Sequence, residues 1–323
     1  MATQYVNNYA VFRVTSRAAY AVLLSYCVIG FVFLGGCSSQ DNHVEVDFSR
    51  KIAVDKPMAS ESSKPKIRIA IGAMISPKET FSSYQDLMNY LGVKLDKQFE
   101  IVQRKTYDEI NEMLGRGEVD LAFICSGPYV IGKETHNLQL VVAPEVNGSH
   151  FYNSYLIVNT GSQSISLDDL RGKTFAFTDP DSNSGKLAPT AMLAKMGESP
   201  ETFFSSTTYT YSHDNSIMAV SKGMVDGASV DGLIWDYFNR TNPEITSSTK
   251  IIGKSENYGI PPVVAGKSLP HEIRNEIKEA LLRMNSDPKG REILKRLMID
   301  RFVEAQDSWY DSIRETMTLK RRK

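Results

Sequence analysis

The residues in this chain best suited to chemistry are short hydroxyl and amide side chains that sit just before helical patterns. Ser182-Asn183-Ser184-Gly185 is followed by Leu187, Ala191 and Ala194 on one helical face. The first N–H groups of a helix have no partner inside it, so hydroxyls and bare N–H groups there can surround an anion. The same residue types also serve as plain helix caps. Three other segments share this form: Met74-Ile75-Ser76-Pro77, Cys125-Ser126-Gly127-Pro128-Tyr129 and Tyr211-Ser212-His213-Asp214-Asn215. If Ser76 and Ser126-Gly127 face Ser182–Gly185 across one cleft, anion binding becomes the better reading of the set.

Other chemistries find little support. There is no nucleophile elbow and no phosphate-binding Walker loop. Cys125 and His213 could be imagined as a thiol and base, yet Cys125 ends a buried strand and reads as a small core residue. The five histidines, at 43, 136, 150, 213 and 271, show no paired metal-ligand spacing, so neither metal nor cofactor is expected. Among the 323 residues, 37 basic and 38 acidic side chains nearly cancel. That balance argues against a nucleic-acid partner, which would need a basic stripe to neutralise phosphates. The closing run Lys320 to Lys323 is the one basic cluster and reads as a solvated tail.

The elements that would position these loops alternate. Ile67, Ile69 and Ile71 lie on one face of a short strand; Phe81, Tyr84, Leu87, Met88 and Leu91 follow a helical period that Gly92 is expected to stop. A strand near 99–102, a helix carrying Tyr107, Ile110 and Leu114, and an apolar strand from Val119 to Ile124 come next. Gly117-Glu118-Val119-Asp120 then recurs as Gly223-Met224-Val225-Asp226, each a helix end, a glycine cap and a step into a buried strand. Two such phrases a hundred residues apart predict two lobes of similar α/β construction, with Asp120 and Asp226 as turn residues. Helices at roughly 270–284 and 288–298, with no strand after them, are expected to return to the first lobe. Tyr152–Val158 and Tyr258–Ala265 would then be the two crossings of a hinge.

The amino terminus has a signal-peptide layout. Arg13 and Arg17 precede an uncharged, largely apolar run from Ala18 to Leu34, closed by Gly35, Gly36 and Cys37. Leu34-Gly35-Gly36-Cys37 resembles the lipobox of bacterial lipoproteins, which implies lipidation of Cys37 and removal of residues 1–36. Residues 37–65 then read as a tether holding the body off the membrane. Processing would leave Cys125 as the one thiol of the folded part.

Over roughly residues 66–300 the chain resembles the phosphate/phosphite/phosphonate-binding proteins of ABC importers. The likeness is carried by Gly117-Glu118-Val119-Asp120 with Ser126-Gly127-Pro128-Tyr129, by Asp179-Pro180 with Ser182–Gly185 and Pro189, and by His213-Asp214 with Gly223–Asp226. The resemblance implies a two-lobed type II periplasmic-binding-protein fold: lobe 1 from 66–155 and 260–323, lobe 2 from 156–259, each a mixed, mostly parallel sheet flanked by helices. It implies a lipid-anchored, extracytoplasmic substrate-binding component, not an enzyme, that captures a phosphonate, phosphite or phosphate, works as a monomer and delivers to a membrane permease. An extracytoplasmic anion-sensing module would read the same.

By that resemblance, Ser182, Asn183, Ser184 and Gly185 grip the phosphorus head, with Ser126-Gly127 opposite and Tyr129 on the wall. Asn183 stands where the family often has threonine, and Lys186 where an aromatic or apolar residue is usual. Lys186 either adds a cation beside the anion or points into solvent. His213 either packs beside a helix that Asp214 caps or donates to the anion. In the second case Asp214 or Asp231 accepts from an amine on the ligand.

Overall fold

The computed structural model describes residues 65–72 and 77–321. Cys37, the run before it, the tether and Ser76 lie outside the described residues. Strand β1 (Lys66–Ile71) is followed by helix α1 (Pro77–Leu95), β2 (Gln98–Val102), α2 (Tyr107–Arg116), β3 (Leu121–Phe123), α3 (Ser126–His136) and β4 (Gln139–Glu145). Alternation along β1 sorts its side chains between two layers. Ile67, Ile69 and Ile71 pack with Leu87, Met88 and Leu91 of α1, whereas Ala70 faces Tyr107, Ile110 and Leu114 of α2.

The chain then leaves this sheet through β5 (Phe151–Tyr152) and enters a second with β6 (Ser154–Asn159), β7 (Thr174–Phe177) and a loop into α4 (Ala188–Lys195). It continues through β8 (Ser206–Tyr209), α5 (His213–Ser221), β9 (Gly227–Asp231), α6 (Gly232–Thr241) and β10 (Thr249–Lys254). Strands β11 (Tyr258–Gly259) and β12 (Val263–Ala265) lead back, and α7 (His271–Leu282), α8 (Pro288–Arg296), β13 (Arg301–Val303) and α9 (Asp311–Arg321) complete it. The sheet orders are β13-β4-β12-β3-β1-β2 and β10-β6-β9-β7-β8. In each the parallel strands, β2–β1–β3 or β8–β7–β9, run out to one edge, and the strand that arrives from the other lobe, β12 or β6, joins them antiparallel, so the sheets are mixed and not mostly parallel. At the crossing, β5 and β11 pair antiparallel with Tyr152 opposite Tyr258.

The repeated glycine-aspartate phrase has a structural use more specific than a turn. Gly117 and Gly223 both take left-handed φ, 72° and 66°, and close their helices. Asp120 then accepts from the Arg68 backbone N–H at 2.7 Å and from its guanidinium at 2.9 Å. Asp226 likewise accepts from the Thr174 N–H at 2.9 Å and its hydroxyl at 2.8 Å. In both lobes the aspartate ties a strand start to the parallel strand beside it.

Three expectations change. Helix α1 runs past Gly92 to Leu95, because the glycine lies where Lys97 turns back and donates to the Gly92 carbonyl. A strand does follow the last long helices: β13 pairs with β4 at the sheet edge. It escapes a periodicity search because three residues carry no period. Finally, Ser212 caps α5, accepting from Asn215 N–H, while Asp214 sits in the first turn. Helices α7 and α8 pack against α1 through Ile277, Leu281, Ile293 and Leu294.

Asp120→Ala should lower unfolding free energy by about 1–3 kcal/mol, since it strips a partner from a strand N–H and a guanidinium. Urea denaturation would show this, and ligand affinity measured in the same protein should be unchanged.

Candidate functional site

The loop after β7 makes a wide turn. Ser182 Oγ accepts from Gly185 N–H at 3.0 Å, and Leu187 N–H reaches back to the Ser182 carbonyl five residues earlier. Above it, the Ser184 carbonyl accepts from the hydroxyls of Ser154 on β6 and Ser229 on β9, each at 2.7 Å. Gly185 is needed here because a Cβ would run into the Thr178 side chain. Ser182 is thus the cap, and Asn183 and Ser184 remain at its tip, fully buried.

From the first lobe, α2 and α3 meet this turn. Asp179 accepts from the Tyr107 backbone N–H of α2 at 3.2 Å, a bond between lobes, and burial pushes its carboxyl up to about 6. Gly127, at the start of α3, abuts the Asp181 carbonyl so closely that a Cβ would not fit. Cys125 is buried beneath, facing the N–H groups of Asn183 and Gly127.

His213 and Asp231 are a buried titratable pair of the second lobe. Asp231 N–H donates to His213 Nδ1 at 2.9 Å, so the neutral ring carries its proton on Nε2. Complete burial lowers the imidazole to about 3 and keeps it neutral. Asp231 caps α6, accepting from Leu233 N–H at 2.8 Å, yet burial still lifts its carboxyl to about 7.

Five side-chain atoms around this point are buried without a hydrogen-bond partner among the described residues: Tyr107 OH, Thr178 Oγ1, Asn183 Oδ1, Ser184 Oγ and His213 Nε2. Buried polar atoms are ordinarily paired, so a cluster of orphans points to a polar guest. Tyr107, Tyr152, Cys125, Asp179 and Asp231 are close enough to act electrostatically on one another.

Of the residues expected from sequence, Asn183, Ser184, His213 and Asp231 are brought together here. Ser126 is adjacent, but its hydroxyl donates to the Gly259 carbonyl at 2.6 Å, so that proton is spent on the crossing strand β11. Tyr129 is drawn elsewhere: its hydroxyl bonds Asp307 at 2.5 Å and its ring meets Tyr310 edge-on. Asp214 is buried in the first turn of α5. Lys186 points neither at solvent nor at an open cleft; it is 9% exposed, with its ammonium 3.8 Å from the Phe177 ring centre. Tyr107, Tyr152 and Thr178 were missed. Tyr107 reads in sequence as part of a helix core face, and the one local signal of another role is its place in the first helical turn after a strand.

A family model described as "ABC transporter, phosphonate, periplasmic substrate-binding protein" matches residues 69–310. The chain belongs to this family. It is 28% identical over 240 residues to the phosphate-import protein PhnD of Mycolicibacterium smegmatis, covering 69% of this chain and 74% of that one. It is also 28% identical over 242 residues to the phosphonates-binding periplasmic protein of Escherichia coli K12, covering 73% and 70%. A solved structure of PhnD1 from Prochlorococcus marinus in complex with methylphosphonate superposes with a TM-score of 0.73 at 18% identity, covering 80% of this chain and 99% of that one. The fold is that of type II periplasmic binding proteins, and the chain is a transport binding protein, not an enzyme.

For this binding protein, Asp231 holds a proton in the folded state between pH 4 and about 7 that the unfolded chain releases. Its contribution therefore falls as pH rises through that window. Asp231→Asn keeps the cap and removes the ionisation. Ligand-free, it should exceed the wild type in stability at pH 8 by on the order of 1–3 kcal/mol and differ little at pH 4, as read by thermal melts at the two pH values.

Proposed function

We propose that this chain captures a phosphonate between its two lobes, closing about the β5–β11 crossing, and delivers it to an ABC permease while a lipid on Cys37 holds it to the membrane. The observation that carries the ligand reading is the cluster of orphaned buried polar atoms around Ser184 and His213. Ser184 and Tyr107 hydroxyls and the His213 Nε2–H can all donate to an oxyanion, and a neutral imidazole does so without demanding a counter-charge. The family of the chain supports phosphorus as the central atom.

The organic substituent has a place as well. Beyond Asp231 lies a cavity of about 100 Å3 between the lobes, lined by Tyr84, Leu233, Ile234, Tyr237, Ile260 and Pro261 among others. An ionised Asp231 at its mouth suits a ligand amine. A chain of a few carbon atoms fits, since cavities of about 150 Å3 admit a benzene ring.

Calorimetry with phosphate, phosphite, methylphosphonate, 2-aminoethylphosphonate and sulfate tests this. Phosphonates should bind most tightly, and Ser184→Ala should weaken them by roughly 10- to 100-fold while leaving the ligand-free melting temperature nearly unchanged. Spared affinity in that variant would move the site elsewhere. For the anchor, Cys37→Ser should yield protein that is soluble or retained as unprocessed precursor, assayed by membrane fractionation.

A further inference from the structure

Every orphaned atom at the site except one can donate a hydrogen bond. The exception is Asn183 Oδ1, and its orientation follows from the bond its Nδ2 makes to Tyr152. Ser126 Oγ gives its proton to the Gly259 carbonyl at 2.6 Å. That leaves the Ser126 hydroxyl tied to the crossing strand, close enough to the Tyr152 hydroxyl to act on it. The Tyr152 hydroxyl accepts from Asn183 Nδ2 at 3.1 Å. The amide is thereby turned with Nδ2 to Tyr152 and Oδ1 to the site, fully buried and without a partner.

We infer that Asn183 Oδ1 is a fixed acceptor that reads a proton on a phosphorus-bound oxygen, so the site selects oxyanions that carry a P–OH over those that carry none. The inference rests on the proposed phosphonate ligand and names what distinguishes it. An unprotonated oxygen placed at Asn183 sets lone pair against lone pair and leaves the amide oxygen buried and unmet. A monoprotonated phosphonate donates there and still accepts from Ser184, Tyr107 and His213. A sulfonate of the same shape has no proton to give. Tyr152 is a positioning residue, acting through the amide it holds.

The test compares methylphosphonate with methanesulfonate by calorimetry at one neutral pH. A single pH keeps constant the charge of Cys125 and Tyr152, the titratable groups beside Asn183. Wild type should prefer methylphosphonate by roughly 10- to 100-fold. Asn183→Thr supplies a hydroxyl that can donate, and Tyr152→Phe releases the amide to present Nδ2; each should shrink the preference to about threefold or less by strengthening methanesulfonate binding. Two variants at different positions keep the test standing if one fails to fold, and circular dichroism identifies that case. Equal wild-type affinity for the two ligands, or a preference that survives in every folded variant, overturns the inference while leaving phosphonate capture intact. Absence of binding to any phosphorus oxyanion overturns both, and is told apart because affinity itself, not selectivity, is lost.

Discussion

The carbonyl oxygen of Ser184 is held by the hydroxyls of Ser154 and Ser229, and the candidate site is built on that clamp. It pins the turn from Ser182 to Leu187 against β6 and β9, strands that neighbour each other in the second sheet. With the carbonyl held inward and Ser182 spent on capping, the side chains of Asn183 and Ser184 project together into the cleft. Thr178 closes the turn from below, where only a glycine at 185 leaves room. The two hydroxyl oxygens also lie 2.7 Å from each other, so Ser154, Ser229 and the carbonyl form one closed set of hydrogen bonds.

Around this clamp the electrostatics rely on burial in place of opposite charge. His213 is kept neutral and Asp231 is lifted toward neutrality, both chiefly by desolvation. A single bond from Asp231 N–H to His213 Nδ1 fixes Nε2 as the ring nitrogen that carries the proton. The site can therefore receive an anion as a set of oriented dipoles, with no fixed cation whose charge must be neutralised when the cleft is empty. Lys186, the nearest departure in residue type, is folded onto Phe177.

The lobes meet through contacts that share residues with the ligand-facing groups. Asp179 reaches the Tyr107 N–H, Ser126 reaches Gly259 on the crossing strand, and Gly127 admits the Asp181 carbonyl. Tyr310 and Ile313, at the start of the last helix, join Tyr129 of the first lobe and Leu187 and Ala188 of the second in one buried cluster. Apposition of the lobes and completion of the site are thus one event, which is how a binding protein couples occupancy to shape.

Much of this was legible in residue order. The period of Ile67, Ile69 and Ile71, the helical face of Leu87, Met88 and Leu91, and the twin Gly117–Asp120 and Gly223–Asp226 phrases determined an alternating α/β chain of two like halves. Hydroxyls before a helix start marked Ser182–Gly185 as a candidate anion turn. These are local signals, since propensity, capping and period act within a few residues. What only the tertiary structure decided is which donors remain unspent. Ser126 and Tyr129 carry the same hydroxyls as Ser184 and Tyr107, but their partners Gly259 and Asp307 lie 133 and 178 residues away in the chain. Whether a polar atom is free for a ligand depends on every neighbour folding brings to it, and no local pattern records those neighbours.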